Sequence, residues 1–320
     1  MPDPKAEFPE GASRNLVISD WTVLPAAFRP DDIAMLTGAT ELDRTRFLTL
    51  SDALQEARAR AADVALKSQL MDFLYSKTRY SSISRGDWEE QVRIATALDE
   101  NITRRGSAAL LREIGQSIDR AIKAKIKRQL TSAPTVAVCY HGGFSVPRRK
   151  LFARMFPEGV VIAASGKHAA HDGAFALFAA REAVLDRRPA LMSPDGRFGR
   201  EAGTINVLGA QLPVTEGAPF LAHTTNAAVV WFALLRKENG FTLEVSPGPQ
   251  PDKGERFSDF RDRFYRFYVD RLEEAFTGDP SNLPLSVNWK LTFGAMLAGK
   301  VYRQRRPTRS RDETQHSDSD

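Results

Sequence analysis

The hydrophobic pattern of the chain changes its period near Pro134. Before this proline, apolar residues recur four positions apart, which is the spacing of an amphipathic helix. The clearest series is Leu110, Ile114, Ile118, Ile122, Ile126 and Leu130. After Pro134, short β-branched runs bounded by glycine alternate with helix-like segments. The pattern predicts a helical region that is followed by an α/β unit.

The first part of the chain divides into a lead-in and a helical region. Residues 1–30 are rich in proline and polar groups and are expected to be extended, whereas residues 31–130 are predicted to be helical. Residues 50–75 contain helix formers throughout, without proline or glycine. The helix over 107–130 has a basic face, which is suited to an anionic membrane or an acidic carrier protein and equally to a solvated surface. This face carries Arg120, Lys123, Lys125, Lys127 and Arg128.

Residues 131–303 are predicted to form the α/β unit. Strands are expected in the runs TVAVCY, GVVIAAS and PALMSPDG, with a helix over 174–188 before the third. A short strand, a loop and a helix follow over 206–226, and then a hairpin with Asn239-Gly240 as its turn. Strands that alternate with helices are typical of parallel sheets. The predicted fold class is therefore α/β, an open, mainly parallel sheet flanked by helices, with a helical N-terminal region.

The last predicted helix has an aromatic stripe surrounded by arginines. Its members are Phe257, Phe260, Phe264, Phe267 and Tyr268. Aromatic rings interleaved with arginines can stack on bases, but at helical spacing they more often belong to a core. We therefore expect a core helix and no nucleic-acid partner. Residues 304–320 are basic and then acidic without apolar residues, and are predicted to be disordered.

Composition and charge limit the class of protein. The 320 residues include 45 Lys and Arg against 40 Asp and Glu, and this mild positive excess suits acidic partners. The single cysteine, Cys139, excludes an intrachain disulfide and fits a reducing compartment. The longest apolar run, residues 227–235, is far shorter than the roughly 20 residues of a membrane-spanning helix. The N-terminus also lacks the apolar segment of a secretory signal. We expect a cytoplasmic protein, soluble or peripheral on the inner membrane face.

His141 is the first candidate for chemistry. It directly follows a predicted strand and precedes Gly142 and Gly143, which allow a tight turn and the approach of a substrate. In open α/β sheets, ligands bind at the carboxyl ends of the strands. A neutral imidazole at this place is a suitable general base for a hydroxyl or an amine.

A second candidate lies at the end of another predicted strand. The turn formed by Pro194, Asp195 and Gly196 is followed by Arg197 and Arg200. Backbone N–H groups and cations in such a turn can hold a phosphate or a carboxylate. A plain surface turn would have a similar sequence, so this segment predicts a binding site only in combination with His141.

Other motifs are weaker. His168, His171 and Asp172 can be read as ligands of a catalytic metal in a hydrolase, or as a helix start that Asp172 caps. His223 lies in an apolar helix, where a structural role is expected. The chain has no G-x-G-x-x-G, P-loop, C-x-x-C or G-x-S-x-G motif, so no cofactor is predicted.

The order of these motifs resembles the lysophospholipid acyltransferase superfamily. A strand that ends in His-Gly-Gly-Phe, the segment LMSPDGRFG and a closing helix before Trp289-Lys290 are similar to its branch of bacterial lipid A lauroyl/myristoyl acyltransferases. The resemblance covers residues 131–290. It implies transfer of a fatty acyl group from an acyl carrier protein or coenzyme A thioester to a hydroxyl or amine of a lipid or small-molecule acceptor.

The resemblance also implies roles for individual residues. His141 matches the catalytic base, but Val146 stands where the family has the orienting acid. Three alternatives follow: Asp172 or Asp195 reaches His141 from another loop, Ser145 orients the ring, or the protein binds acyl groups or a carrier protein without turnover. Asp195 is our candidate for the catalytic partner. The predicted substrate-binding residues are Gly142, Gly143, Ser145, Pro194, Gly196, Arg197 and Arg200.

Two further expectations concern the partners. Arg148, Arg149 and Lys150 follow the His141 hinge, where an acidic carrier protein or a pantetheine phosphate would approach, although a solvated cluster has the same sequence. Members of the family usually begin with a membrane-spanning helix. The helical region of this chain suggests instead a soluble acceptor or a peripheral membrane contact.

Overall fold

The protein has the predicted α/β fold, with helices packed on both faces of an open, mainly parallel sheet. The structure, a computed structural model, describes residues 17–18, 47–66, 68–80, 82–162, 169–195, 201–238 and 240–285. The side chains of residues 17–18, 169–175 and 201–202 are not described. The tail over 304–320 and the Trp289-Lys290 pair lie outside the described residues.

The N-terminal region is helical, as predicted. After the short strand β1 (Val17–Ile18), the helices are α1 (Leu50–Arg60), α2 (Ser68–Lys77), α3 (Arg85–Arg105), α4 (Ala108–Ser117) and α5 (Arg120–Thr131). Hydroxyl or carboxylate side chains cap four of these helices by accepting backbone N–H groups of the first turn. The capping residues are Thr49, Ser84, Ser107 and Asp119.

Two segments with an unbroken helical pattern are each divided into two helices. Within residues 50–75, a short 3-10 turn (Ala61–Asp63) and an extended Val64 separate α1 from α2. The stripe from Leu110 to Leu130 is interrupted between α4 and α5, because Asp119 caps the second helix through the N–H groups of Ala121 and Ile122. Helix propensity does not exclude a break where a cap and tertiary packing favour one.

The second half contains the sheet and its helices. The elements are β2 (Thr135–Val138), α6 (Ser145–Met155), β3 (Val160–Ile162), α7 (Ala169–Leu185), β4 (Ala190–Met192), β5 (Glu201–Val207), β6 (Ala210–Thr215), α8 (Gly217–Thr225), β7 (Ala228–Lys237), β8 (Gly240–Pro247) and α9 (Phe257–Thr277). The main sheet has the order β1-β3-β4-β2-β7-β8, and all neighbours in it are parallel except β7 and β8.

Two predictions about this half need correction. The segment expected to be a loop after the short strand contains β6, which pairs with β5 in a separate antiparallel hairpin. In the β7–β8 hairpin, Gly240 pairs with Lys237. The hairpin was predicted correctly, but Gly240 belongs to strand β8 and not to the turn.

The sheet separates two hydrophobic cores. Along β2, the side chains of Val136 and Val138 enter one core and those of Ala137 and Cys139 enter the other, as the two-residue period of a strand requires. The first core also includes residues of α2, α7, α8 and α9, and the second includes residues of α1, α4, α5 and α6. Helix α3 contributes to both cores. Cys139 is buried, as expected for a small apolar residue.

The aromatic stripe of α9 belongs to the core, as predicted. Phe260, Phe264 and Tyr268 are fully buried, and Phe267 packs against the same core. Four of the surrounding arginines, Arg256, Arg261, Arg263 and Arg271, are paired with acids, for example Arg263 with Glu255 at 2.6 Å. These rings are therefore not available for stacking on a ligand. Within the described part of the chain, every helix is too short or too polar to cross a lipid bilayer.

Candidate functional site

The candidate site lies at the carboxyl edge of the sheet, between the ends of β2 and β4. These strands are parallel neighbours in which Val138 pairs with Met192. The N–H of Cys139 donates to the Met192 carbonyl at 3.0 Å and extends the pairing by one residue. The segments that follow both strands therefore begin side by side, and His141 and Asp195 meet there.

Asp195 faces both the backbone and the ring of His141. The His141 N–H donates to Asp195 Oδ2 at 2.9 Å, and His141 Nδ1 lies 3.4 Å from Asp195 Oδ1. The second distance is that of an ion pair for a protonated ring and is longer than a good hydrogen bond, so Nδ1 has no hydrogen-bond partner among the described residues. Nδ1 is buried, whereas 33% of the His141 side chain is exposed. Because Nδ1 is covered, we assign the exposed part of the ring to the side that carries Nε2.

Tyr268 of α9 contacts Asp195 from the helical layer that packs on the sheet. Its hydroxyl donates to Asp195 Oδ1 at 2.6 Å and also lies 3.1 Å from the carbonyl oxygen of Cys139. Both Tyr268 and Asp195 are buried. Burial and the neighbouring Asp195 charge raise the pKa of Tyr268 well above its ordinary value, so the hydroxyl keeps its proton and acts as a donor.

Asp195 is ionised despite its burial. Burial alone would raise the pKa of its carboxyl, but the charge of His141 and the hydrogen bonds from His141 and Tyr268 outweigh it and leave the pKa below its usual value. A buried carboxylate next to an imidazole can fix the orientation of the ring and stabilise the imidazolium that forms when the ring accepts a proton.

The hairpin of β5 and β6 holds the Asp195 segment in place. The carbonyl of the buried Pro194 accepts the Thr215 N–H at 2.8 Å and the Thr215 hydroxyl at 3.2 Å. Asp195 itself forms an isolated antiparallel bridge with Val214. On the other side, the Tyr265 hydroxyl of α9 donates to the Thr215 carbonyl at 2.9 Å. Helix α9 thus supports Asp195 directly through Tyr268 and indirectly through the hairpin.

The His141 hinge has an unusual backbone. Gly143 and Phe144 both have positive φ, at 61° and 55°, before α6 begins at Ser145. A Cβ on Gly143 would lie 2.2 Å from the Tyr140 hydroxyl oxygen, so this glycine allows a tight contact with Tyr140 on that side. The Tyr140 ring is itself fixed by stacking on Trp231, with the ring centroids 5.8 Å apart.

The basic cluster after the hinge differs from the prediction. Arg148 is almost completely buried, with 1% of its surface exposed, and it donates to the carbonyls of Gly143 and Tyr140. Arg149 is half-buried and Lys150 is exposed. The three cations therefore do not form one surface patch, because consecutive residues of a helix point in directions about 100° apart.

The other predicted residues are placed as follows. Ser145 is the half-buried first residue of α6, and Val146 is buried beside it. The substrate-binding candidates Gly196, Arg197 and Arg200 lie outside the described residues, as do His168 and the side chains of His171 and Asp172. No group of metal-binding side chains occurs among the residues that the structure describes.

His223, on α8, has the structural role expected for it. Its Nε2 lies 2.8 Å from the Glu255 carbonyl oxygen, and its ring packs against Phe257.

The sequence did not indicate Tyr268 as part of the site, and it gave Arg148 a different role, as one of three cations near an acidic donor. The only sign of Tyr268 is a hydroxyl in a stripe that otherwise consists mainly of phenylalanine, since a buried tyrosine usually needs a partner for that group. Arg148 had no distinguishing sign beside its two basic neighbours. Models of known protein families and curated proteins were compared with the chain, and neither comparison finds a match.

Proposed function

We propose that the protein is an acyltransferase that moves an acyl group from a thioester to a hydroxyl or amine, with His141 as the general base. The observation that carries this proposal is the contact between the His141 ring and the buried Asp195 carboxylate at the carboxyl edge of the sheet. This edge is where open α/β sheets bind their ligands.

Asp195 is our candidate for the acid that is missing at Val146. In the acyltransferases that the sequence resembles, an acid stands five positions after the histidine. This chain has Val146 at that position. Here a carboxylate from the neighbouring strand end reaches Nδ1 instead. Of the alternatives considered for orienting His141, Asp195 is the one with a described contact to the ring.

The proposed reaction uses the exposed side of the ring. His141 Nε2 accepts the proton of the acceptor hydroxyl or amine while the acceptor oxygen or nitrogen attacks the thioester carbonyl carbon. The new ester or amide bond forms as the carbon–sulfur bond breaks, and the imidazolium returns its proton to the departing thiolate. Asp195 stabilises the imidazolium between these two steps and remains ionised throughout.

Backbone donors are available next to the base. Ser145 and Val146 are the first two residues of α6, and no side chain caps this helix. In the part of the chain that the structure describes, no acceptor bonds their N–H groups. Such donors suit the oxygen of a thioester carbonyl, on which negative charge develops during the attack.

The proposed donor is an acyl carrier protein or coenzyme A thioester, and the proposed acceptor is a lipid or a small molecule. We place the protein in the cytoplasm, with a peripheral contact on the inner membrane face. The exposed basic residues of α5 support this contact, because a cationic helix face attracts anionic lipids and acidic carrier proteins. They are Arg120, Lys125, Lys127 and Arg128.

A thiol-release assay tests the proposal. The purified full-length chain is incubated with acyl-coenzyme A or acyl carrier protein thioesters of several chain lengths, and the released thiol is measured with a chromogenic disulfide. We expect release by the wild type and its loss in His141→Ala, because the base is then absent. His223→Ala is the matched control, since His223 lies on α8 and bonds the Glu255 backbone carbonyl instead of Asp195, and it should retain activity.

The same experiment separates transfer from binding. Mass spectrometry of the products should show the acyl group on an acceptor when a cell extract of polar lipids and metabolites is supplied. A protein that binds a non-hydrolysable acyl thioether but releases no thiol from any donor would be a binding module. Equal activity of the wild type and His141→Ala would remove His141 from the mechanism.

A further inference from the structure

The buried Arg148 bonds the backbone on both sides of His141. Its Nη2 donates to the Tyr140 carbonyl, and its Nη1 donates to the Gly143 carbonyl at 3.2 Å. Its guanidinium carbon also lies 5.4 Å from the centre of the Tyr140 ring. Only His141 and Gly142 stand between the two carbonyls that it bonds.

The peptide bond before His141 is held from two directions. Its carbonyl, from Tyr140, accepts from Arg148, and its N–H, from His141, donates to Asp195 Oδ2. The carbonyl and N–H of a trans peptide are coplanar and point in opposite directions, so the two contacts together fix the orientation of this plane. This plane fixes the position of the His141 Cα, from which the imidazole extends.

This use of an arginine is unusual. In the described part of the chain, no carboxylate lies within ion-pair distance of Arg148, and its Nε is buried without a hydrogen-bond partner. A buried guanidinium normally requires a paired acid, because its transfer out of water is costly. Here the planar fork of the guanidinium is matched to two carbonyl oxygens instead.

We propose that Arg148 is a positioning residue for His141, which fixes the backbone on both sides of the ring and thereby keeps the imidazole at the Asp195 carboxylate. The effect on catalysis rests on the proposed acyl transfer, whereas the effect on the hinge does not. The two consequences are therefore measured separately.

Hydrogen exchange tests the effect on the hinge. In Arg148→Met, the peptide plane that directs the His141 N–H at Asp195 is no longer fixed. The His141 amide should then exchange about tenfold faster, which is the effect expected when the local stability falls by the contribution of one hydrogen bond. The exchange of β2 and β7 should stay unchanged. Arg149→Met is the matched control, because Arg149 is the next residue of α6 but donates within its own helix, to the Ser145 carbonyl at 3.3 Å.

Kinetics test the effect on catalysis. Arg148→Met should lower kcat about 100-fold with little change in KM, since a small displacement of a catalytic group has an effect of this size. Arg148→Lys keeps the buried charge but lacks the planar fork, so it should recover only part of kcat. Arg154→Met, at an exposed position of the same helix, should keep kcat close to the wild type.

The remaining outcomes also decide the question. Equal hinge exchange in Arg148→Met and Arg149→Met would overturn the proposal. If Arg148→Met does not fold, Arg148→Lys takes its place in both measurements, and failure of both variants to fold would assign Arg148 a purely structural role. If the wild type releases no thiol, the proposed function fails, and the exchange data alone decide whether Arg148 holds the hinge.

Discussion

Two buried aspartates near the sheet have opposite electrostatic environments. Asp195 and Asp99, which lies on α3, both have 4% of their surface exposed. The pKa of Asp195 is lowered, because the charge of His141 and the hydrogen bonds that the carboxylate accepts outweigh the effect of burial. Burial raises the pKa of Asp99 to about 7, since the charges of Arg148 and Arg149 offset burial only in part. Asp99 Oδ1 is buried without a partner in the described part of the chain.

The difference shows that burial alone does not decide the state of a carboxyl group. Asp195 has a hydroxyl donor, a backbone donor and an imidazole directed at its two oxygens. Asp99 has cations nearby, but its Oδ1 finds no hydrogen bond among the described residues to replace its hydration. A carboxylate that orients a base must be ionised at working pH, and only Asp195 has the partners that ensure it.

The largest expected effect is on catalysis at Asp195. Asp195→Asn should lower kcat for thiol release by about 10³- to 10⁴-fold, because the amide cannot stabilise the imidazolium. Asp99→Asn, the matched change of the other buried aspartate, should keep kcat within a factor of about ten. Steady-state kinetics of both variants would decide this, and equal losses would mean that Asp195 has no special role.

The next effect concerns the pH dependence of stability at Asp99. Between about pH 4 and pH 7, this carboxyl ionises in the unfolded chain but keeps its proton in the folded one, so the free energy of unfolding falls as pH rises. The rise in the pKa of Asp99 from 3.8 to about 7 corresponds to a loss of about 4 kcal/mol in the free energy of unfolding. Asp99→Asn lacks this loss and should gain stability relative to the wild type as pH rises from 5 to 8.

Urea unfolding at a series of pH values checks this prediction. The quantity to follow is the free energy of unfolding of Asp99→Asn minus that of the wild type. Asp270→Asn, at an exposed position of α9, serves as the control. A difference for Asp99→Asn that stays constant across this range would show that Asp99 is already ionised in the folded protein.

The smallest expected effect comes from removing one hydroxyl. Tyr268→Phe leaves Asp195 Oδ1 without its donor and should cost about 1–3 kcal/mol at pH 7. The lowered pKa of Asp195 stabilises the fold above about pH 4, and this contribution is lost as pH falls further. Loss of the hydroxyl raises that pKa, so acid unfolding of Tyr268→Phe should begin at higher pH.

Tyr265→Phe is the control for this measurement. Tyr265 lies on the same helix and donates to the Thr215 carbonyl at 2.9 Å. Loss of the Tyr265 hydroxyl removes a hydrogen bond to the hairpin but no hydrogen bond to the Asp195 carboxylate itself. Acid titrations followed by circular dichroism should show the shift for Tyr268→Phe alone, and identical shifts would mean that Tyr268 does not act through Asp195.

Much of the fold could be predicted from local patterns. Strands β2, β3 and β4 lie in the predicted segments, because the period of apolar side chains reflects which faces of a segment are buried. Helix α7 overlaps the helix predicted over 174–188 but begins five residues earlier, at Ala169, and ends at Leu185. The division of α4 from α5 could not be predicted from the apolar stripe, since the stripe continues through the capping Asp119. Strand β6 was missed because its partner, β5, decides whether such a segment pairs or remains a loop.

The candidate site could be predicted in part. His141 and Asp195 were both placed after strands by the sequence, and parallel strands bring their carboxyl ends to one edge. Their contact also requires that β2 and β4 be neighbours, which depends on the strand order. Tyr268 is 73 residues from Asp195 along the chain, so only the packing of α9 brings it near.

The amino-acid sequence by itself determined which residue types stand at the ends of the strands, because the alternation of apolar and polar positions is a local property of the chain. It also determined that a histidine hinge and a Pro-Asp-Gly turn each follow a buried strand. The tertiary structure decided which strand ends are adjacent, which of three consecutive cations is buried and which tyrosine reaches the carboxylate. These outcomes depend on contacts between distant segments, and the side-chain period within one segment carries no information about them.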